Sequence, residues 1–407
     1  MVKVSHYLGA ILLIAGTTIG AGMLALPIGT AFCGFGPALL AFLGVWGIML
    51  FSAYLFLDVN LSLPGETNFI TMCEKTLGTW GKVVCWITYL LLLYSLTAAY
   101  IAGSAGIFQE AVHWTFGIEM PVQVGYFCLP VLFGGFVYLG TVGVDVINRA
   151  LMLGLAISYV LLVGGLPEHI VVERLTHVDF TPFFFGVLLV LTSFGYHIII
   201  PSLTTYMHHD RKHLRRAIFI GSLLPLLIYI LWETLTLGIV PLEGPYSLVT
   251  AWKEGVPVTK MLSHYVSTPW IQLSVHYFSF FAIVTSFLGV SLSLSDFLTD
   301  GFKIKETWEG RLIAILLTFV PPLLFLFTTD RGFIFALQHA GAFVAILLVF
   351  LPAAMAWTLK ENAFYRSTIG RALLILMILI SIGMVGLDVL KEMNILDGLI
   401  SSYVSAS

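Results

Sequence analysis

The chain has 407 residues, of which 59% are hydrophobic and 10% charged, with a formal net charge of −3. An ordinary soluble domain carries roughly 25% charged residues, so this composition cannot cover a water-facing surface, and lipid must serve as solvent for much of the chain. The small net charge and the lack of a basic tract leave nothing that points to nucleic acid as a partner. Cys33, Cys73, Cys85 and Cys128 stand far apart without a C-x-x-C pair, which indicates neither a disulfide framework nor a zinc site.

A helix needs about 20 apolar residues to cross roughly 30 Å of hydrocarbon, and that length predicts eleven spans, at about 7–31, 37–60, 83–109, 122–142, 147–165, 181–204, 215–240, 270–297, 309–328, 333–358 and 370–389. The first run follows Lys3 and lacks a small-residue cleavage site, so it is expected to stay in the mature protein. With a cytoplasmic N-terminus, most of the 19 lysines and arginines fall on the cytoplasmic side. The densest group, His208-His209-Asp210-Arg211-Lys212-His213-Leu214-Arg215-Arg216, lies between spans six and seven. The positive-inside rule therefore predicts N-in, C-out.

The first span contains Gly16-Thr17-Thr18-Ile19-Gly20-Ala21-Gly22, followed by Met23-Leu24-Ala25-Leu26-Pro27. Glycine costs about 0.8–1.0 kcal/mol relative to alanine in a helix interior, so three glycines and two threonines at mid-depth mark a place where bare backbone is needed. The third span carries Tyr94-Ser95-Leu96-Thr97-Ala98-Ala99-Tyr100, with four hydroxyls near its middle. The sixth, Leu191-Thr192-Ser193-Phe194-Gly195-Tyr196-His197 running on to Pro201, repeats the design of the first: apolar half, Thr/Ser-Gly interruption, apolar half, proline. The seventh holds Glu233; the eighth holds His276, then Thr285, Ser286 and Gly289. Ionisable residues inside a membrane are expensive and mark function by default, which makes His197, Glu233 and His276 candidates.

Each unit holds five spans, and five is odd, so the second unit returns with inverted topology. Paired Gly/Pro-interrupted segments at corresponding places of two halves point to a transporter's binding site. The expected organisation is a single all-α transmembrane domain, with repeat one at about 7–165, repeat two at about 181–358 and an eleventh helix at about 370–389 outside the repeat. The motifs admit other meanings. Gly20-Ala21-Gly22-Met23-Leu24-Ala25 matches a dinucleotide fingerprint, but no strand precedes it and no acidic residue follows about 20 positions on. Gly16-x-x-x-Gly20 would equally mark close helix packing, without explaining the matching interruption in span six. An ion channel is a competing class. So is an integral-membrane enzyme, for which His208, His209, Asp210 and His213 come nearest to a site, although no Walker, H-E-x-x-H or Ser/His/Asp pattern is present.

Gly16 to Pro27, Leu96-Thr97-Ala98-Ala99-Tyr100-Ile101, Thr192 to His197, Thr285-Ser286-Phe287-Leu288-Gly289 and Asp330-Arg331-Gly332-Phe333 together resemble the bacterial hydroxy/aromatic amino acid permeases, part of the amino acid/polyamine/organocation superfamily. The resemblance covers essentially the whole chain. It implies an inner-membrane symporter with the five-plus-five inverted-repeat fold and eleven helices, no enzyme activity and no cofactor, moving tyrosine, with tryptophan or phenylalanine as further substrates, on the proton gradient. One position departs from it. Relatives often carry a lysine in the fifth span, where the ammonium stands in for a sodium ion in proton-coupled members; here the residue is Leu155. Helix carbonyls of the first span with the Thr285 and Ser286 hydroxyls offer the oxygen set a hard cation prefers, so sodium is the alternative coupling ion, and Glu233 is the other coupling candidate.

A broken helix answers both charges of a zwitterion. Freed amides at the start of a half-helix suit a carboxylate, and freed carbonyls at the end of the preceding half suit an ammonium. The amides of Gly20, Ala21 and Gly22, with a Thr17 or Thr18 hydroxyl, are expected to take the carboxylate. Carbonyls near Ala15, Gly16 and Ser193 are expected to take the ammonium. Tyr100 and Phe194 are the expected aromatic walls, beside Gly195, with His197 or His276 meeting a phenolic hydroxyl.

Overall fold

A computed structural model describes residues 4–65, 67–305, 307–329, 331–359, 363–393 and 395–406. Lys3 and the motif residue Asp330 lie outside the described residues. The regular structure among them is helical throughout. The first half runs through α1 (Val4–Thr18), α2 (Leu26–Thr30), α3 (Phe35–Ser62), α4 (Phe69–Phe116), α5 (Val122–Tyr138) and α6 (Thr141–Gly165). Then come α7 (Val187–Ser193), α8 (Ile200–Tyr206), α9 (Arg211–Ile239), the short α10 (Leu248–Glu254) and α11 (Val258–Leu262), and α12 (Pro269–Phe302). The remainder is α13 (Trp308–Leu326), α14 (Gly332–Val344) continuing through a π-helical stretch into α15 (Leu351–Trp357), α16 (Ala363–Arg366), α17 (Thr368–Glu392) and α18 (Ser401–Ala406).

Among the described residues, nine helical segments are long and apolar enough to cross a membrane. The two remaining expected spans are shorter helices: α5 has 17 residues, and the 7–31 span is cut in two. The cut is where the sequence places it. α1 stops at Thr18, a 3₁₀ turn covers Ala21–Leu24, and α2 resumes with Pro27 in its first turn, where a missing N–H costs nothing. The 183–206 segment is cut in the same manner. α7 ends at Ser193, a 3₁₀ turn covers His197–Ile199, and α8 restarts with Pro201 in its first turn.

The two interrupted segments touch through bare backbone. A Cβ built on Gly186, just ahead of α7, would stand 2.5 Å from the carbonyl oxygen of Gly29 in α2, and one built on Gly29 would stand 3.3 Å from the Gly186 Cα. α9 packs along α1 and α3. Its N-terminus is capped by Asp210, whose carboxylate accepts from the Lys212 and His213 amides at 3.1 Å each. The bonds from the His213 amide and ring hold that carboxyl below the usual carboxylate range. Nearby, the buried Asp58 of α3 pairs with Arg211 at 2.8 Å and Arg215 at 3.2 Å and accepts from the Tyr365 hydroxyl at 2.6 Å. This pins α3, α9 and α16 together at one end of the bundle.

The two ends differ. At the Asp58 end, a cavity of about 820 Å³ opens between Phe69, Trp86, Phe297 and Asp300 and reaches Ile198 and Pro201 at the second interruption. At the other end the interrupted segments are covered. Trp252 of α10 packs edge-on against Phe32 at 6.0 Å and tilted against Phe185 at 5.8 Å, and the Arg331 guanidinium lies 4.4 Å over its ring.

Overpacking a tight contact costs about 1–3 kcal/mol. Gly186→Val should therefore lower the melting temperature of the detergent-purified protein, whereas Gly16→Ala, whose new methyl meets nothing nearer than Met152 Cε at 3.9 Å, should leave it unchanged; thermal unfolding followed by tryptophan fluorescence measures both.

Candidate functional site

At the first interruption the backbone gives up helical bonds. Ile19 N still reaches Ala15 O at 2.9 Å and Met23 N reaches Gly20 O at 3.2 Å. Among the described residues, no loop hydrogen bond starts from the amides of Gly20 or Gly22. The Ala21 amide donates to Ser286 Oγ on α12 at 2.9 Å. Gly20 has an extended backbone (φ −163°) that any residue adopts, so its glycine is required by space: a Cβ there would stand 2.6 Å from Ser286 Oγ. Gly22 is held bare in the same way by Ser193 Oγ, 2.9 Å from the position of its Cβ. Gly16 has room for a side chain, so close helix packing is not what makes it glycine.

At the second interruption Phe194 N bonds Leu191 O and Tyr196 N bonds Phe194 O, while no described loop bond starts from Gly195 or His197. Ser193 Oγ turns back to Leu189 O at 3.0 Å. Because Ser193 sits on Gly22, the two interruptions meet in one place, and three further side chains close around it. Tyr100 of α4 is buried, with Ser286 beside its hydroxyl. Phe194 is fully buried, its ring 5.3 Å from that of Tyr229 on α9. The Tyr229 hydroxyl lies 2.7 Å from Thr18 O and 2.9 Å from Ser193 O, the last helical carbonyls of both first halves.

Two more residues of α9 continue that contact. Trp232 donates its indole N–H to Met23 O at 2.9 Å, and the fully buried Glu233 carboxyl hydrogen-bonds the Thr30 hydroxyl of α2. Tyr229, Trp232 and Glu233 stand at i, i+3 and i+4, one face of a helix, and that face follows the first span from Thr18 to Thr30. Tyr229 and Trp232 are absent from the sequence-derived candidates. The signal that could have found them is their place one turn before, and next to, a buried glutamate, each with a polar tip on an aromatic body.

The remaining candidates lie elsewhere. Thr17 is exposed and donates to Leu13 O at 2.7 Å; Thr18 is buried and donates to Ile14 O at 2.7 Å, so each hydroxyl gives its proton to its own helix. Thr285 donates to Phe281 O at 2.7 Å within its own helix. His197 is fully buried beside the Tyr196 ring at 5.0 Å, the Phe56 ring at 6.3 Å and the Met49 backbone, which places it toward α3 and away from Tyr229. His276 lies ten residues before Ser286 on α12, about 15 Å along the axis at 1.5 Å per residue. Its Nδ1 is 3.3 Å from a Glu110 carboxylate oxygen and its ring is 5.9 Å from Trp114. Leu155 is buried on α6, the helix whose Met152 meets Gly16. Among the described residues no cluster of three or more His, Cys, Asp or Glu could hold a metal ion.

Comparison with known proteins agrees with this architecture. The profile of the tryptophan/tyrosine permease family matches residues 3–387. Tyrosine-specific transport system 2 of Haemophilus influenzae is 33% identical, covering 92% of this chain and 94% of the relative. The tryptophan-specific transport protein of the same organism is 32% identical over 88% and 89% of the two chains, and the low affinity tryptophan permease of Escherichia coli K12 is 32% identical over 85% of each. Among solved structures, Mhp1, a nucleobase-cation-symport-1 family transporter in a closed conformation with bromovinylhydantoin bound, superposes with a TM-score of 0.60 at 14% identity, covering 98% of this chain and 91% of that one. At that identity the likeness speaks for the fold alone. The chain belongs to the tryptophan/tyrosine permease family, a family of membrane transporters and not of enzymes.

Proposed function

We propose that the chain is a symporter of the bacterial inner membrane that imports tyrosine, with tryptophan or phenylalanine as further substrates, by alternating access around the paired interruptions. The observation that carries this reading is their meeting point. Unpaired amides at Gly20 and Gly22 and helix-end carbonyls at Thr18 and Ser193 lie together in a buried place. Amides at the start of a half-helix favour a carboxylate, and carbonyls at the end of one favour an ammonium. Tyr100 and Phe194 flank that place as apolar walls for an aromatic side chain. The substrate class is supported by relatives named for tyrosine and tryptophan transport.

The expected organisation, eleven spans in two inverted units of five with the last helix outside, is consistent with two interruptions of one design at corresponding places. With the His208–Arg216 end cytoplasmic and the N-terminus inside, the open cavity at that end would be an inward-facing vestibule and Trp252 the cover of the outer end.

For coupling we favour the proton, carried by Glu233. Thr30 Oγ1 lies 2.8 Å from Leu26 O and also within hydrogen-bonding reach of Glu233. A hydroxyl has one proton. If Thr30 gives it to Leu26, as hydroxyls on helices commonly do, the bond to Glu233 needs a proton on the carboxyl. A neutral acid also avoids the several kcal/mol of leaving a carboxylate unpaired in a buried site. Sodium at Thr285 and Ser286 is the alternative that the tests below separate.

Labelled tyrosine uptake into proteoliposomes should be driven by an inward proton gradient and not by a sodium gradient alone. Glu233→Gln should lose the proton-driven accumulation while keeping tyrosine exchange across the membrane; accumulation that still follows the pH gradient in the variant would remove Glu233 from coupling. Gly20→Val, whose branched side chain has no room against Ser286, should insert normally and transport nothing, and near-normal uptake would contradict the broken-helix site.

A further inference from the structure

The Tyr229 hydroxyl touches both interruptions, bonding Thr18 O at 2.7 Å and Ser193 O at 2.9 Å. It is fully buried, on the helix that also holds Met23 O through Trp232 and Thr30 through Glu233. A phenol has a single proton and accepts through its oxygen. It can therefore donate fully to only one of the two carbonyls at a time. The second carbonyl keeps its lone pairs, and the phenolic oxygen keeps its own. Both carbonyls close a helical half-segment, where the backbone dipole leaves partial negative charge. Two carbonyl oxygens thus stand within hydrogen-bond distance of one phenolic oxygen, with one proton among the three. That arrangement suits a group with three donors and no acceptor, which is the chemistry of an ammonium.

We propose that Tyr229 is a positioning residue for the α-ammonium of the transported amino acid. It draws the Thr18 and Ser193 carbonyls from two separate segments onto one hydroxyl and holds them at ammonium spacing before the substrate arrives. Without it, two like dipole ends would face each other in a buried site and spread apart. This rests on the reading that the interruptions bind an amino acid, and it adds to that reading a residue of α9 and a division of labour. The amides of Gly20 and Gly22 read the carboxylate, and the carbonyl pair set by Tyr229 reads the ammonium.

The test is binding to the purified full-length protein in lipid nanodiscs, with three ligands: tyrosine, tyramine, which keeps the ammonium and lacks the carboxylate, and 3-(4-hydroxyphenyl)propanoate, which keeps the carboxylate and lacks the ammonium. A hydrogen bond to a charged group is worth about 1.5–3 kcal/mol, so Tyr229→Phe should weaken tyrosine and tyramine about ten- to hundredfold and leave the propanoate within about twofold. Equal losses for all three ligands would mean a merely structural role and overturn the proposal, as would no loss for any. If the phenylalanine variant does not purify as a single species, Tyr229→Gln, whose amide N–H groups keep donors for the carbonyls, should show the same pattern at smaller size, and a uniform loss there is equally fatal. Wild-type protein that binds no tyrosine, or a Gly20→Val variant that binds it normally, would instead defeat the site itself.

Discussion

Backbone hydrogen bonds surrendered in the middle of two membrane segments are the constraint on which this fold turns. In hydrocarbon an unpaired N–H or C=O costs several kcal/mol, so irregular backbone survives only where protein or a lined cavity answers it. Here the answers come from side chains of two other helices. Ser286 on α12 takes the Ala21 amide, Tyr229 on α9 takes the carbonyls of Thr18 and Ser193, and Trp232 takes that of Met23. The interruptions therefore fix where α9 and α12 must stand. Amides left over at Gly20 and Gly22 are what a ligand can use.

The same bonds constrain motion. Along α9, Tyr229, Trp232 and Glu233 hold the first span at three successive points. Separating α9 from that span would break all three, at about 0.5–1.5 kcal/mol net each and more if the buried partners are left unsatisfied. A rearrangement that opens the Trp252 end is cheaper if α1, α2 and α9 travel together. The contacts that Trp252 makes there are edge-on and tilted rings and one guanidinium over its indole, which can separate without orphaning backbone groups. At the opposite end, Asp58 with Arg211, Arg215 and Tyr365 joins α3 to α9 and α16, so α3 belongs with the same set.

Both interruptions can be read from the sequence because glycine and proline mark them in the chain itself. Pro27 and Pro201 open the second halves, and Gly20 and Gly22 are bare because Ser286 and Ser193 press on them. The sequence marks a place where bare backbone is needed, and the structure supplies the cause, close approach between segments far apart in the chain. That distance is also why Tyr229 stayed hidden. Nothing in Leu226 to Glu233 announces that one phenol will meet two carbonyls from different segments; only the tertiary crossing of Gly22 on Ser193 brings them together. His276 shows the opposite limit. A histidine in an apolar run reads as central, yet its depth along α12 puts it beside Glu110 and Trp114, and depth on a long helix is poorly encoded in local sequence. Thr17 likewise looks like Thr18 in sequence, and a turn of about 100° per residue sends it to the exposed face.

The central claim is that the crossing of the two interruptions is where the amino acid sits. An experimental structure of the protein in lipid with tyrosine bound tests it most directly. The account predicts ligand density between Gly20–Gly22 and Ser193–Gly195, its carboxylate on the Gly20 and Gly22 amides and its ring between Tyr100 and Phe194. Tyrosine found elsewhere, with the Gly20 and Gly22 amides and the Ser193 carbonyl untouched, would contradict it.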